Sequence, residues 1–163
     1  MIAAVESELL KDLDVGAARA VLALGEPVHL AAGAVLFELG ADANTLFLIE
    51  RGRISLTLPM QVEGRAADLL VEEKAGGQVV GWSAVIPPHR FTLKAAAPVA
   101  TELLAIPREA LLTHFAGHPA VGYRVTRNIA TIVGQRLQVF QAMWLRQMQR
   151  LVEPGSAEGW VGR

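Results

Sequence analysis

Between Val28 and Ile106 the chain is cut by glycine and proline into short apolar or alternating runs: Val35 to Leu39, Leu46 to Ile49, Ile54 to Leu58, Leu69 to Val71, Phe91 to Ala95 and Glu102 to Ile106. None is long enough for an amphipathic helix, and alternation with a period of two is what a half-buried strand requires. Many short strands with such punctuation predict a mainly β architecture, a sandwich or jelly-roll barrel. The barrel is expected over residues 28–106.

The flanks carry the opposite signal. Leu9, Leu10, Leu13, Ala17, Ala20, Val21 and Leu24 recur at helical spacing, with Gly25 and Pro27 as a stop, which predicts a helix from Glu6 to Leu24. After the strands, Pro107 and Glu109 open a short helix through Phe115, and Gly117 with Pro119 breaks it. From Ala120 to Val152 only Gly122 and Gly134 interrupt a helical pattern. One stripe of this last helix holds Val125, Ile129, Ile132, Val139 and Met143, and a second holds Val133, Leu137, Phe140, Trp144 and Leu151. A helix lying on a barrel needs one buried stripe. The second is expected to meet a two-fold copy of itself or the N-terminal helix of its own chain.

A length of 163 residues suits one domain, residues 1–163, with an N-terminal helix in 1–25, C-terminal helices in 107–152 and a tail in 153–163. The 52% hydrophobic content predicts apolar surface covered by a partner protein. No apolar run reaches the ~18 residues of a membrane span, and the first residues lack the basic end of a signal peptide, so a cytoplasmic location is expected. Cysteine is absent, which excludes disulfides, thiolate metal sites and cysteine nucleophiles. The net charge of −1 is unevenly spread: residues 1–50 hold eight acids, whereas residues 110–152 hold Arg124, Arg127, Arg136, Arg146 and Arg150 and no acid. An arginine-only helix can meet an anionic surface, or pack beside the acidic N-terminal part or an acidic partner.

The stretch Gly76 to Ala95 concentrates anion-binding chemistry. It sets a glycine turn, a short segment begun by small residues, a proline break, one arginine and a β-branched strand in that order. Unpaired N–H groups and a guanidinium that grips two oxygens make this order read as a phosphate cradle, although an ordinary turn between strands uses the same glycines.

Gly33-Ala-Val-Leu-Phe37-Glu-Leu-Gly40, Phe47-Leu-Ile-Glu-Arg-Gly52-Arg-Ile54 and Gly77-Gln-Val-Val-Gly81 occur in an order that resembles the cyclic-nucleotide-binding domain family, typified by the bacterial catabolite activator and the regulatory subunit of protein kinase A. The resemblance covers residues 5–152. It implies a jelly-roll with an N-terminal helix, a short cassette helix and a long C-terminal dimerisation helix. It also implies a cyclic nucleotide or other phosphate-bearing effector bound by the 76–95 cassette, with Gly81, Trp82, Ser83, Ala84, Arg90, Thr92, Phe140 and Gln141 as ligand-binding residues.

Two departures limit that implication. In the family's nucleotide binders the cassette glycine precedes a glutamate that accepts from the ribose 2′-hydroxyl; here Gly81 precedes Trp82, whose indole offers a donor and no acceptor. Arg90 matches the phosphate arginine, but an alignment run backwards from Ala95 puts His89 there, and Thr92 fits the hydroxyl that follows. Further on, the hydroxyl residues that touch adenine in the catabolite activator correspond to Phe140 and Gln141. Phe140 can stack and Gln141 can read a base edge, and both can equally serve helix packing.

Catalytic motifs are not found. His114 and His118 have the spacing of a helical metal pair, but Gly117 and Pro119 break the helix between them and no third ligand accompanies them. Ser83 lacks the second glycine of a nucleophile elbow, no Walker lysine follows the glycines, and Glu72 and Glu73 are adjacent, so on a strand they face opposite sides. Only eleven residues follow Val152, too few for a helix-turn-helix, so sequence-specific DNA binding is not expected. The reading is a non-enzymatic, effector-sensing regulatory domain, a homodimer through its last helix that signals to a protein partner. The alternative is a ligand-free adaptor in which Trp82 fills the vacated pocket.

Overall fold

Eight strands form two four-stranded sheets in the computed structural model, which describes residues 6–152. The strands are β1 (Glu26–Leu30), β2 (Val35–Phe37), β3 (Thr45–Arg51), β4 (Arg53–Val62), β5 (Arg65–Ala75), β6 (Val79–Val80), β7 (Lys94–Ala96) and β8 (Thr101–Pro107). One sheet has the order β1-β8-β3-β6 and the other β2-β7-β4-β5, with every pairing antiparallel. This is the mainly β, helix-flanked jelly-roll that the punctuated runs predict.

The core is built mainly from these strands. Leu46, Leu48 and Ile49 of β3, Ile54 and Leu56 of β4, Val79 and Val80 of β6, and Leu103 and Ile106 of β8 are at most 2% exposed. Each large aliphatic side chain so buried contributes about 1.5–3 kcal/mol of transfer free energy. The turn joining β3 to β4 rests on Gly52, with φ +91°, where an added Cβ would lie 2.5 Å from Thr101 Oγ1 and 2.7 Å from the Ala100 carbonyl. Thr101 locks that turn, accepting from the Arg53 N–H at 3.1 Å and donating to the Arg53 carbonyl at 2.9 Å.

Beyond the barrel, β4 and β5 continue as a hairpin whose residues 59–70 are exposed. The Lys94 ammonium of β7 reaches Asp68 of the hairpin at 2.8 Å, and this hydrogen bond holds the lysine above its ordinary pKa.

The N-terminal helix is shorter than its periodicity predicts. Residues 8–12 form turns, Asp12 takes φ +63°, and the helix, α1, spans only Val15–Leu22. A non-glycine residue at positive φ ends one turn, and Asp14 starts the next by accepting from the Ala17 N–H at 2.9 Å. Leu9 and Leu10 are nonetheless fully buried, so their spacing reports burial without helix. The short helix α2 (Arg108–Gly117) and the long helix α3 (Pro119–Val152) match their predicted places. Pro119 is the first residue of α3, where its missing N–H has no partner to lose.

The chain forms two compact units, residues 1–130 and 131–163, so the division falls within α3. In the first unit Val125 and Ile129 of α3 are fully buried, and Asn128 Nδ2 donates to the carbonyls of Leu9 at 2.8 Å and Lys11 at 2.9 Å. Arg124 adds an ion pair with Asp12 at 3.6 Å. In the second unit Leu137, Trp144 and Leu151 are more than half exposed, while Val133 and Phe140 are half-buried. The expected tail, 153–163, lies outside the described residues.

Candidate functional site

The cassette begins where β6 ends. Val79 and Val80 are fully buried and paired with Leu48 and Phe47 of β3, so the chain must turn at once. Gly81 makes the turn with φ +80°, and a Cβ there would stand 3.0 Å from the Thr45 carbonyl oxygen and 3.1 Å from Phe91 Cε1. The left-handed conformation favours glycine, and the close approach adds to the cost of any side chain there.

Trp82–Ala84 form a single 3₁₀ turn, with Ala84 N–H donating to the Gly81 carbonyl at 3.0 Å and Val85 N–H to the Trp82 carbonyl at 3.0 Å. Ser83 and Ala84 are sealed in, which accounts for their small size, while Trp82 is half-buried. Pro87 and Pro88 then run over the surface.

His89 and Arg90 separate into two roles. His89 takes φ +57°, its N–H donates to the Ile86 carbonyl at 3.1 Å, and its carbonyl accepts from Ala43 N–H at 2.8 Å. Its Nδ1 lies 3.2 Å from the Ser83 carbonyl; a carbonyl only accepts, so Nδ1 carries the hydrogen. The histidine therefore closes the cassette on itself. Arg90 Nη1 donates to the Gly40 carbonyl at 2.9 Å and stands 3.4 Å from Asp42 Oδ1, with its side chain 61% exposed. Thr92 is exposed as well.

Phe91, between these two, is buried and stacks on Phe37 of β2 with ring centroids 3.7 Å apart. Thus Gly81, Trp82, Ser83, Ala84, Arg90 and Thr92 share one loop and strand start. Phe140 and Gln141 lie on α3 in the second unit, the first half-buried and the second exposed.

The sequence reading passed over two charged residues on the inner face of the barrel. In the β4–β5 register, Ile54 faces Lys74 and Leu56 faces Glu72, and directly paired residues point to the same side. Ile54 and Leu56 point inward, so Lys74 and Glu72 do too. Lys74 is 3% exposed and its ammonium lies 2.7 Å from Glu72 Oε1. Glu73, as its adjacency to Glu72 predicts, takes the outer face, where it meets Ser55 at 3.4 Å and Arg53 at 3.8 Å. The signal available in the sequence was two opposite charges two residues apart within a strand.

His114 and His118 stack with ring centroids 4.4 Å apart and rings 21° from parallel. Among the described residues no three histidines or acids gather as a metal site would require. A separate concavity of about 430 Å³, lined by His29, Leu30, Arg51, Gly52, Ala100, Thr101 and Glu102, shares no residue with the cassette. No described helix is long and apolar enough to cross a membrane.

A jelly-roll with a glycine-initiated cassette between β6 and β7 is a regulatory ligand-binding architecture, and the family model for the cyclic nucleotide-binding domain matches residues 27–118. The chain belongs to that family. It is 31% identical over 133 residues to glutaminase 2 of Bradyrhizobium diazoefficiens, which covers 81% of this chain but only 20% of that protein. The chain thus spans about a fifth of the curated relative it matches. Among solved structures it is similar to the Thermus thermophilus catabolite activator protein, with TM-score 0.70, 22% identity and coverage of 88% of this chain and 63% of that one. The N-terminal domain of a transcriptional regulator from Streptomyces coelicolor A3(2) gives TM-score 0.67 and 21% identity, covering 85% and 94%.

Proposed function

We propose that this chain is a non-enzymatic sensor domain that binds a phosphate-bearing small molecule, a nucleotide or a relative of one, in the 76–95 cassette. The observation that carries this reading is the state of Arg90. Its guanidinium sits at the cassette's exit, 61% exposed, in an ion pair with a 70% exposed partner, Asp42. Pairs so open to water are worth about 0–1 kcal/mol, so an incoming phosphate can displace Asp42 from the guanidinium at little cost. A bidentate grip on phosphate is stronger than the pair it replaces.

Altered specificity follows from Trp82, since the ribose-accepting carboxylate is missing at that position. The effector acts by shifting α3 between two arrangements in a homodimer read by a partner protein. Its place is the cytoplasm. The resemblance to one fifth of a glutaminase supports a regulatory segment carried beside, or acting on, other activities.

A second reading, a ligand-free adaptor, is favoured by the half-buried Trp82 in the glutamate's place. Calorimetric titration with cyclic mono- and dinucleotides separates the two. The sensor binds one of them and loses it in Arg90→Ala, with lysine restoring little; an adaptor binds none.

A further inference from the structure

From Arg65 to Leu70 the strand β5 is exposed at every residue, Val71 and Glu72 are half-buried, and Lys74 is sealed. Glu72 therefore stands at the rim where the hairpin enters the barrel, and Lys74 lies one inward-facing position deeper. Side-chain exposure falls from 20% at Glu72 to 4% at Lys74.

The rim residue shares a cross-strand row with the end of the cassette. Phe37 pairs with Ala95, Ala95 with Leu56 and Leu56 with Glu72, so this row runs across the inner face from β2 to β5. Ala95 and Glu72 are two strands apart, roughly 10 Å at ordinary strand spacing.

A buried ammonium is expensive. It has three N–H donors, and among the described residues its ion-pair partner is one carboxylate. Removing both charges and filling the space with apolar groups is often neutral or stabilising, so stability does not account for the pair. The cross-strand partner of Lys74, Ile54, is apolar and fully buried, as are Leu56 and Ala95 on the adjacent row of Glu72.

We propose that Lys74 is an anion-binding residue of the barrel interior and that Glu72 is its built-in stand-in ligand. The Glu72 carboxylate holds the Lys74 ammonium. An organic phosphate entering past the rim takes the ammonium, and Glu72 turns toward the solvent it already touches. The inference rests on the reading that this barrel receives a phosphate-bearing effector, and it adds a second anion contact besides Arg90. It also makes the empty state self-blocking: affinity is set by the difference between two anions competing for one lysine.

The test is calorimetric titration of the whole chain with cyclic AMP and, separately, inorganic phosphate, up to millimolar concentration. Glu72→Gln removes the competing charge and should tighten cyclic AMP binding by roughly tenfold to a hundredfold, the range of one charge-assisted hydrogen bond. Lys74→Met should weaken it by a similar factor, and adding it to Glu72→Gln should cancel the gain. Tightening for inorganic phosphate alone assigns Lys74 to a free anion, and tightening for cyclic AMP assigns it to the nucleotide.

The double substitution Glu72→Leu/Lys74→Met should fold at least as stably as the wild type by thermal melting and bind cyclic AMP no more tightly than the wild type. If Glu72→Gln binds no tighter than wild type, including the case where neither binds, or if the folded double variant binds as tightly as Glu72→Gln, the proposal falls. Failure of the cassette reading looks different: Arg90→Ala would then leave binding unchanged while Lys74→Met still removed it. Loss of binding in Arg90→Ala with neutral effects at Glu72 and Lys74 would keep the cassette and discard the inner pair.

Discussion

The ring of Phe91 lies 3.7 Å from that of Phe37, centroid to centroid and only 8° from parallel, and Phe91 Cε1 would stand 3.1 Å from a Cβ added at Gly81. This one aromatic contact ties the start of the cassette, its closing strand and β2 together. Phe47 extends the stack at 6.1 Å from Phe37. The shape of the cassette is thus held by core packing.

Gly81→Ala should accordingly destabilise the protein. The left-handed conformation alone costs a residue with Cβ about 1–2 kcal/mol, and the Thr45 carbonyl at 3.0 Å adds to it. Urea denaturation should show a loss of at least about 1 kcal/mol with an unchanged slope. A midpoint equal to that of the wild type would mean that the loop relaxes freely and is not held by Phe91.

Restoring a carboxylate next to Gly81 should restore nucleotide affinity. Wild-type protein is expected to bind cyclic AMP weakly, because the ribose hydroxyl loses a charge-assisted hydrogen bond worth about 1.5–3 kcal/mol. Trp82→Glu should therefore tighten cyclic AMP binding by roughly tenfold to a hundredfold. Submicromolar affinity in the unsubstituted protein would contradict this account, and so would a folded Trp82→Glu variant that binds no better.

How much of this could be read from the sequence depended on how each segment hides its role. Six strands were visible as alternating runs, but β1 was not, because Pro27 and His29 break its apolar pattern; it is an edge strand, where proline is tolerated. β6 is two residues long, too short for any period to show. The leucines at 9, 10 and 13 look helical because burial on one side imposes the same spacing on consecutive turns, and only the positive φ of Asp12 reveals the break. Of the cassette, Gly81 and Arg90 were legible, whereas the inward direction of Glu72 and Lys74 was not. A run of three charges reads as solvated surface until the register with Ile54 and Leu56 is known.

Asn128 joins α3 to the N-terminal segment within the first unit, its amide donating to two backbone carbonyls at 2.8 and 2.9 Å. Losing both bonds, one of them to the carbonyl of the fully buried Leu9, should cost about 1–3 kcal/mol. Asn128→Ala should lower the midpoint of urea unfolding by that amount. Asn128→Asp should do worse, since its carboxylate faces two oxygens. Equal stability of all three proteins would show that the segment is held by Leu9 and Leu10 alone.

Assembly is the remaining expectation. Leu137 and Trp144 of α3 are 58% and 62% exposed, with Phe140 half-buried between them. Three large apolar side chains recurring at near-helical intervals in water form a seam that a second copy of the same helix covers most simply. Aromatic residues at the centre of such a seam are its usual energetic anchors, and an unpaired charge buried there costs several kcal/mol. Phe140→Glu should convert a dimer to monomers when measured by light scattering coupled to size exclusion. Wild-type protein that elutes as a monomer at tens of micromolar, or a variant that stays dimeric, would take away the lever that the proposed route from cassette to partner protein requires.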